Sequence, residues 1–331
     1  MQRPPNIYDV ADLAGVSHQT VSRVLNKSDK VSPSTRDRVE VAIRTLGYQR
    51  NNAARSLVTS KTRIIGVVIT NTGYFGPSNT IRAMEEQARS NGYFAISASV
   101  DPESSSSIEA GIQQMRILGA EALVLIAPQI ISLRLVRPFL SGIPIVVMAN
   151  SNEPGLFSVR VDDYQGAKKA TEYLIESGHT KLAHVSGPKD WFEAEARMKG
   201  FSNACEEADL IPSLIYRGSW DSISGYQSAS EVFSSGATAV FCANDQLAIG
   251  LIRGLNELGL SVPQDISIVG YDDMPEARYL NPPLTTIRQD FDELGRRIMA
   301  LLIEELRDQT AIRKEMIEPE LVIRESVKNI S

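Results

Sequence analysis

The chain has 331 residues, 43% hydrophobic and 22% charged, with 34 Lys/Arg against 40 Asp/Glu for a net charge of −6. This length is enough for two or three domains, each with its own core, and the composition is that of an ordinary soluble protein. No run of about eighteen apolar residues occurs, so no transmembrane helix is expected. Met1-Gln-Arg-Pro-Pro5 lacks the apolar centre of a signal peptide, and a cytoplasmic protein is expected. Cys205 and Cys242 lie far apart without histidines at ligand spacing. Buried free thiols are therefore expected rather than a disulfide or a zinc site, and no metal or cofactor is implied.

In chain order, residues 7 to 26 read as two short helices joined by a glycine turn. Ile7, Val10, Ala11 and Ala14 recur at helical spacing, and Gly15 suits the left-handed residue that ends a helix. Ser17 can cap the second helix. On that helix His18, Gln19, Ser22 and Arg23 share one arc, while Val21, Val24 and Leu25 take the opposite one. A polar arc of donors on an apolar anchor is what a helix reading base edges in a major groove requires.

A third helix follows, with Ser32 as cap, Pro33 at its first position, Val39, Ala42, Ile43 and Leu46 as its apolar stripe, and Gly47 as its stop. Periodicity alone also fits a three-helix subdomain that never meets nucleic acid. Charge favours the DNA reading: residues 1–61 carry ten Lys/Arg against five Asp/Glu, a net +5 that leaves −11 for the rest. A basic head on an acidic body directs only the head toward phosphate.

From Ile64 onward, short Val/Ile-rich runs alternate with amphipathic helical stretches. Strands are predicted at 64–70, 93–99, 122–126, 144–149, 181–186, 213–216, 239–243 and 265–270, with an irregular stretch at 150–158. The alternation implies right-handed βαβ units in parallel sheets covered on both faces. There are too many strands for one compact sheet, so two doubly wound lobes facing a cleft are expected. Ligands in such folds bind beyond the carboxyl ends of strands. Thr70, Phe75, Pro77, Arg197, Trp220, Asn244 and Asp272 fall at or near those ends. Planar two-pronged Arg, Asp and Asn groups beside an indole face suit a carbohydrate, whose vicinal hydroxyls and C–H face they match. Structural roles remain open for some of them: Asp163 and Asp245 can cap helices, and Trp220 can be core.

Nearly the whole chain, from Ile7 to about Asn329, resembles the lactose/galactose repressor (LacI/GalR) family of bacterial transcription regulators. The resemblance rests on the 7–26 motif and on Asn51-Asn-Ala-Ala-Arg-Ser-Leu57, Gly178-His179, Ala243-Asn-Asp-Gln246, Val269-Gly-Tyr-Asp-Asp273 and the 282–291 segment Pro-Pro-Leu-Thr-Thr-Ile-Arg-Gln-Asp-Phe. It implies an all-α helix-turn-helix head at 1–50, a hinge helix and linker at 51–62, and an effector-binding and dimerisation body at 63–329. The body implied is two doubly wound lobes of periplasmic-binding-protein type I, the N-lobe about 63–160 and 290–311, the C-lobe about 161–289 and 312–329. By the resemblance, His18, Gln19 and Arg23 read bases, and Ser17, Thr20, Ser22 and Asn26 contact phosphate or dock the helix. Asn52, Ala54, Arg55 and Leu57 belong to the hinge, with Leu57 as the minor-groove wedge. A helix of about two turns does not persist alone, so it should order only when two copies pair on DNA, where an apolar wedge opens and bends a base step.

The resemblance further implies that Arg197, Trp220, Asn244, Asp272, Gln289 and Phe291 line a sugar site, with Phe75 and Pro77 on the loop forming its apolar wall. Trp220 with Phe291 points to a sugar rather than a purine corepressor. The chain departs from the lactose-responsive pattern at Met148-Ala149-Asn150, where an aspartate is expected, and at Ile126, where an asparagine is expected. These departures leave a galactoside and other glycosides equally open. No leucine heptads follow residues 321–325, so a homodimer on palindromic double-stranded operator DNA is expected. The expected function is a repressor of sugar-utilisation genes, released when a sugar binds. The rival within the family is a corepressor-dependent or global regulator. A transport-type sugar-binding protein conflicts with the DNA-reading head. An enzyme finds no support, because His18, His179 and His184 sit near no nucleophile motif.

Overall fold

The structure is a computed structural model describing residues 3, 5–26, 28–49, 61–70, 73–101, 104–126, 142–148, 157–307 and 314–331. Two compact units are present, Met1–Thr62 and Arg63–Ser331. The expected hinge residues Asn52, Ala54, Arg55 and Leu57 lie outside the described residues, as do Ala149 and Asn150.

The first unit contains α1 (Ile7–Ala14), α2 (His18–Leu25) and α3 (Pro33–Leu46). Asn6 starts α1 with a reciprocal cap: its side chain accepts from Tyr8 and Asp9 N–H groups, and its own N–H donates to Asp9 Oδ2 at 2.7 Å. Gly15 stops α1 at φ 63° and Gly47 stops α3 at φ 61°, a region that L side chains avoid. Ser17 and Ser32 cap the other two helices through the N–H groups of Thr20 and Thr35, each contact contributing roughly 1 kcal/mol. Val10, Ala11, Ala14, Val21, Val24, Val39 and Ala42 close one small core among them.

The second unit holds two six-stranded sheets. In the N-lobe β1 (Ile64–Ile69), β2 (Phe94–Ser99), β3 (Ala120–Ile126), β4 (Ile145–Val147), β5 (Phe157–Val161) and β11 (Lys314–Ile317) run in the order β11-β5-β4-β3-β1-β2. All five pairings in that sheet are parallel. In the C-lobe β6 (Leu182–Ser186), β7 (Leu214–Arg217), β8 (Ala239–Cys242), β9 (Ser267–Asp272), β10 (Thr285–Arg288) and β12 (Glu320–Val322) run β12-β10-β9-β8-β6-β7, with β12 antiparallel.

Helices cover both faces of each sheet, which is why the central strands read as unbroken apolar runs. One face of the N-lobe sheet packs α4 (Phe75–Ser90) and α10 (Phe291–Glu305) through Met84, Ala88, Leu294 and Ile298, and the other packs α5 (Ser105–Ile117) through Ile108, Ile112 and Met115. The C-lobe sheet carries α6 (Asp163–Glu176) and α7 (Phe192–Glu207) on one face and α8 (Ser222–Ser234) and α9 (Asp245–Glu257) on the other.

Two expectations are corrected. The lobe boundary near 312 moves, because β11 at Lys314–Ile317 pairs parallel with β5 and belongs to the N-lobe sheet. The chain therefore returns to the C-lobe only between Ile317 and Glu320. The stretch 150–158, read as irregular, ends in β5 from Phe157; Ser158 and Arg160 interrupt the apolar run that marks the other inner strands.

Candidate functional site

Among the described residues, one candidate surface lies on each unit. On α2, His18, Gln19 and Arg23 are exposed while Val21 and Val24 are buried, so the helix presents one polar arc away from its core. Tyr8 of α1 stands beside His18, ring centroids 5.1 Å apart. Ser17 spends its hydroxyl on the cap and on Thr20 Oγ1 at 3.0 Å. Asn26 ends the helix and its amide reaches Ser22 Oγ at 3.5 Å.

The second surface is a cleft of about 900 Å³, its open mouth included, between the carboxyl ends of the two sheets. Its size suits a small organic ligand. Phe75, Pro77, Arg197, Trp220, Asn244, Asp272, Gln289 and Phe291 all line it, as do Ile126 and Met148. Thr70 does not. It is buried at the end of β1, where its N–H continues the sheet pairing to the Ile126 carbonyl at 3.2 Å.

Arg197 is the electrostatic centre. Its guanidinium donates to Asp163 Oδ1 at 2.8 Å and to the Ala243 carbonyl at 2.6 Å, stands 3.8 Å from Asp272 Oδ1, and lies 3.7 Å over the Tyr271 ring. Burial opposes its charge, but Asp163, Tyr271 and Asp272 outweigh that and hold it protonated. Asp272 is pushed up to about 6 by burial, which Arg197 and the Gln289 amide donating at 2.6 Å resist. Its backbone sits at φ 111°, a strained value for a non-glycine residue.

Asn244 caps α9 through the Leu247 N–H at 2.8 Å and ties down the Trp220 loop by donating to the Trp220 carbonyl at 2.9 Å. The caps thus fall one residue earlier than Asp163 and Asp245, on Asp162 and Asn244. Asp163 is instead free to pair with Arg197. Asp245 is buried under the site, accepting from the Thr286 hydroxyl at 2.6 Å and the Met274 N–H at 2.8 Å. Trp220 serves core and cleft together: it packs in the C-lobe core, and its Nε1 has no partner among the described residues. Gly187 makes its seat, since a Cβ there would lie 2.5 Å from the indole ring.

The aromatic wall is larger than the sequence suggested. Tyr74, Trp191 and Phe192 join Trp220, Phe75 and Phe291. The ring pairs meet edge-on: Tyr74–Trp191 at 82°, Trp191–Trp220 at 66° and Phe75–Phe291 at 75°. Arg160, Asp163 and Glu193 also line the cleft. Trp191-Phe192-Glu193 follows the turn after β6, a strand end of the kind beyond which ligands bind in such folds.

A helix-turn-helix head joined to a two-lobed α/β body defines a class of DNA-binding transcription regulators. Residues 6–51 match the family model described as bacterial regulatory proteins, lacI family, and residues 171–327 match the periplasmic binding protein-like domain. An HTH-type transcriptional repressor PurR of Haemophilus influenzae is 37% identical over 98% of this chain and 99% of its own length. The lactose operon repressor of Escherichia coli K12 is 30% identical over 98% of this chain and 91% of its own length. The crystal structure of the Lac repressor bound to ONPG superposes with a TM-score of 0.88 at 30% identity, covering 98% of this chain and 100% of that one. The chain belongs to the lacI family of bacterial regulatory proteins and is a DNA-binding transcriptional repressor, not an enzyme.

Proposed function

We propose that this repressor responds to a neutral sugar, releasing operator DNA in front of sugar-utilisation genes when the cleft fills. The observation carrying this reading is the make-up of the cleft. Its rings meet edge-on rather than as a parallel pair spaced to sandwich a flat base, and they share the lining with the planar groups of Arg197, Asn244, Asp272 and Gln289. Aromatic faces take the C–H surface of a sugar, while carboxylate, amide and guanidinium edges take its hydroxyls.

Two copies bind a palindrome, each placing α2 in a major groove with His18, Gln19 and Arg23 on base edges. Ser17, Thr20, Ser22 and Asn26 position the helix against phosphate. Asn52, Ala54, Arg55 and Leu57 enter the minor groove between the half-sites. Exposed apolar side chains support pairing: Ile223 and Tyr226 on α8 are 68% and 43% exposed, and Tyr279 is 82% exposed. The protein works in the cytoplasm, on the nucleoid while bound.

Likeness to repressors named PurR favours a second reading, in which a purine corepressor strengthens DNA binding. Fluorescence anisotropy of the full chain on a labelled palindromic operator separates the two. The sugar reading expects tight binding by the ligand-free protein and release by sugar. Weak binding that tightens on adding a purine base would replace it. Gln19→Ala should cost about 1–3 kcal/mol of discrimination at one base position while leaving binding to non-specific DNA unchanged.

A further inference from the structure

Glu193 lies in the first turn of α7, in the cleft wall. Its carboxyl accepts from its own backbone N–H, while its Oε2 is sealed from solvent and has no hydrogen-bond partner among the described residues. Buried carboxyl oxygens are rarely left so. A second sealed, unpartnered polar atom, Trp220 Nε1, borders the same cleft. The charged groups acting on Glu193 are Asp163 of α6 and Asp272 of β9, which oppose its ionisation, and Arg197, which favours it. Arg197 is already committed to Asp163 and the Ala243 carbonyl, so it gives Glu193 no ion pair. Arg160, on the N-lobe side of the cleft, forms no ion pair with it either.

We propose that Glu193 is a ligand-directed hydrogen-bond donor of the cleft, meeting an acceptor oxygen of a neutral polyhydroxyl ligand. The inference rests on the sugar reading above and deepens it. A carboxylic acid offers one O–H donor, whereas a carboxylate offers none. Burial, with Asp163 next, pushes the Glu193 carboxyl up to about 8, so the proton is present at neutral pH. The terminal torsion of glutamate is broad, so either oxygen can turn to the cleft. The carboxyl is filled by the acid form until pH rises through 8; ionisation then replaces the donor with a charge beside Asp163 and Asp272. No histidine or cysteine lines the cleft among the described residues, and Asp272 is pushed up only to about 6; Asp245, raised by burial beneath the site, is common to the parent and Glu193→Gln, so a pH dependence between 7 and 9 that the variant loses belongs to Glu193.

The protein carries its own reporter, since Trp191 and Trp220 are its only two tryptophans and both line the cleft. Lactose, cellobiose and ribose are titrated into the full chain by tryptophan fluorescence at pH 6, 7, 8 and 9. A ligand needing the proton binds about tenfold more weakly at pH 9 than at pH 7. Glu193→Gln, which keeps an N–H donor, should stay within about threefold of the parent at pH 7 and lose the pH dependence; Glu193→Leu should bind at least about fivefold more weakly. Parent affinity that is level from pH 7 to 9, or Glu193→Leu binding as tightly as the parent, overturns the donor role while leaving the sugar reading intact. If none of the three sugars binds, the sugar reading fails, and infrared difference spectra of ligand-free parent and Glu193→Gln decide the donor. A protonated-carboxyl band lost in the variant at pH 7 and fading through pH 8 supports it, and absence of that band overturns it.

Discussion

His184 shows how much one buried side chain can set. It stands in β6 between the rings of Phe201 and Phe241, at centroid distances of 5.1 and 4.9 Å. Its Nδ1 reaches the Phe241 carbonyl at 2.9 Å, an oxygen that can only accept, so Nδ1 carries the proton and Nε2 is left without a partner. Burial lowers the imidazole to about 4, with Arg197 and Arg217 adding to the effect. A depressed histidine contributes stability above its unfolded value near 6.5 and loses it as pH falls through the folded value. The loss amounts to about 3 kcal/mol between those limits. Asp272, pushed up to about 6, acts in the opposite sense and favours the folded state as acid is added. Denaturant titrations from pH 7 to 4 should show the parent losing stability faster than His184→Phe; parallel curves would remove His184 from the acid response. Residues differed in how openly their roles were written. Arg197 and Trp220 were legible because an arginine and a tryptophan near strand ends are conspicuous. Glu193 was not, because an acidic residue in a stretch such as Glu193-Ala-Glu195 reads as the wet face of a helix, and its sealed oxygen and the nearby charges of Asp163 and Asp272 appear only in the folded cleft wall.

Among the elements, α8 and α9 cross with their backbones close together. A Cβ at Gly225 would strike the Leu247 carbonyl, and one at Gly250 would strike the Ser222 carbonyl, so each helix gives up a side chain to admit the other's backbone. Gly250→Ala should destabilise the protein by about 1–3 kcal/mol through overpacking, although alanine is the better helix former. The thermal midpoint checks this: an unchanged or raised value would mean that the helices separate freely. The same physics decided which elements the sequence disclosed. Strands β1, β3, β6, β8 and β9 lie inside two-faced sheets and read as apolar runs. β11 and β12 are outer strands of three or four residues with Lys314, Glu315 and Glu320, too short and polar to show a pattern. β10 hides for another reason. Its buried Thr285 and Thr286 are satisfied by long-range partners, the Arg324 N–H and Asp245, which no local reading supplies.

For the molecule as a whole, the division of charge is the governing fact. The +5 head and the −11 remainder ask different things of the solvent. Operator affinity should fall steeply between 50 and 200 mM salt, by about three to five decades if six to ten phosphates are contacted. Binding of a neutral ligand in the cleft should move less than about twofold over that range. Equal salt sensitivity of the two would mean that the cleft ligand is itself charged. If sugar weakens DNA binding by some factor, DNA must weaken sugar binding by the same factor. The late position of α10 and β11 carries the last consequence. A chain emerging from the ribosome N-terminus first can close its three-helix head as soon as Tyr48 is out, because no residue of that core lies further downstream. The N-lobe must wait for Ile317 to complete its sheet, and the C-lobe for Val322. Through most of its synthesis the nascent protein therefore holds a finished DNA-reading head ahead of an unfinished sensor. A message broken before its end would release a folded head with neither the sensor nor the sheets of its body.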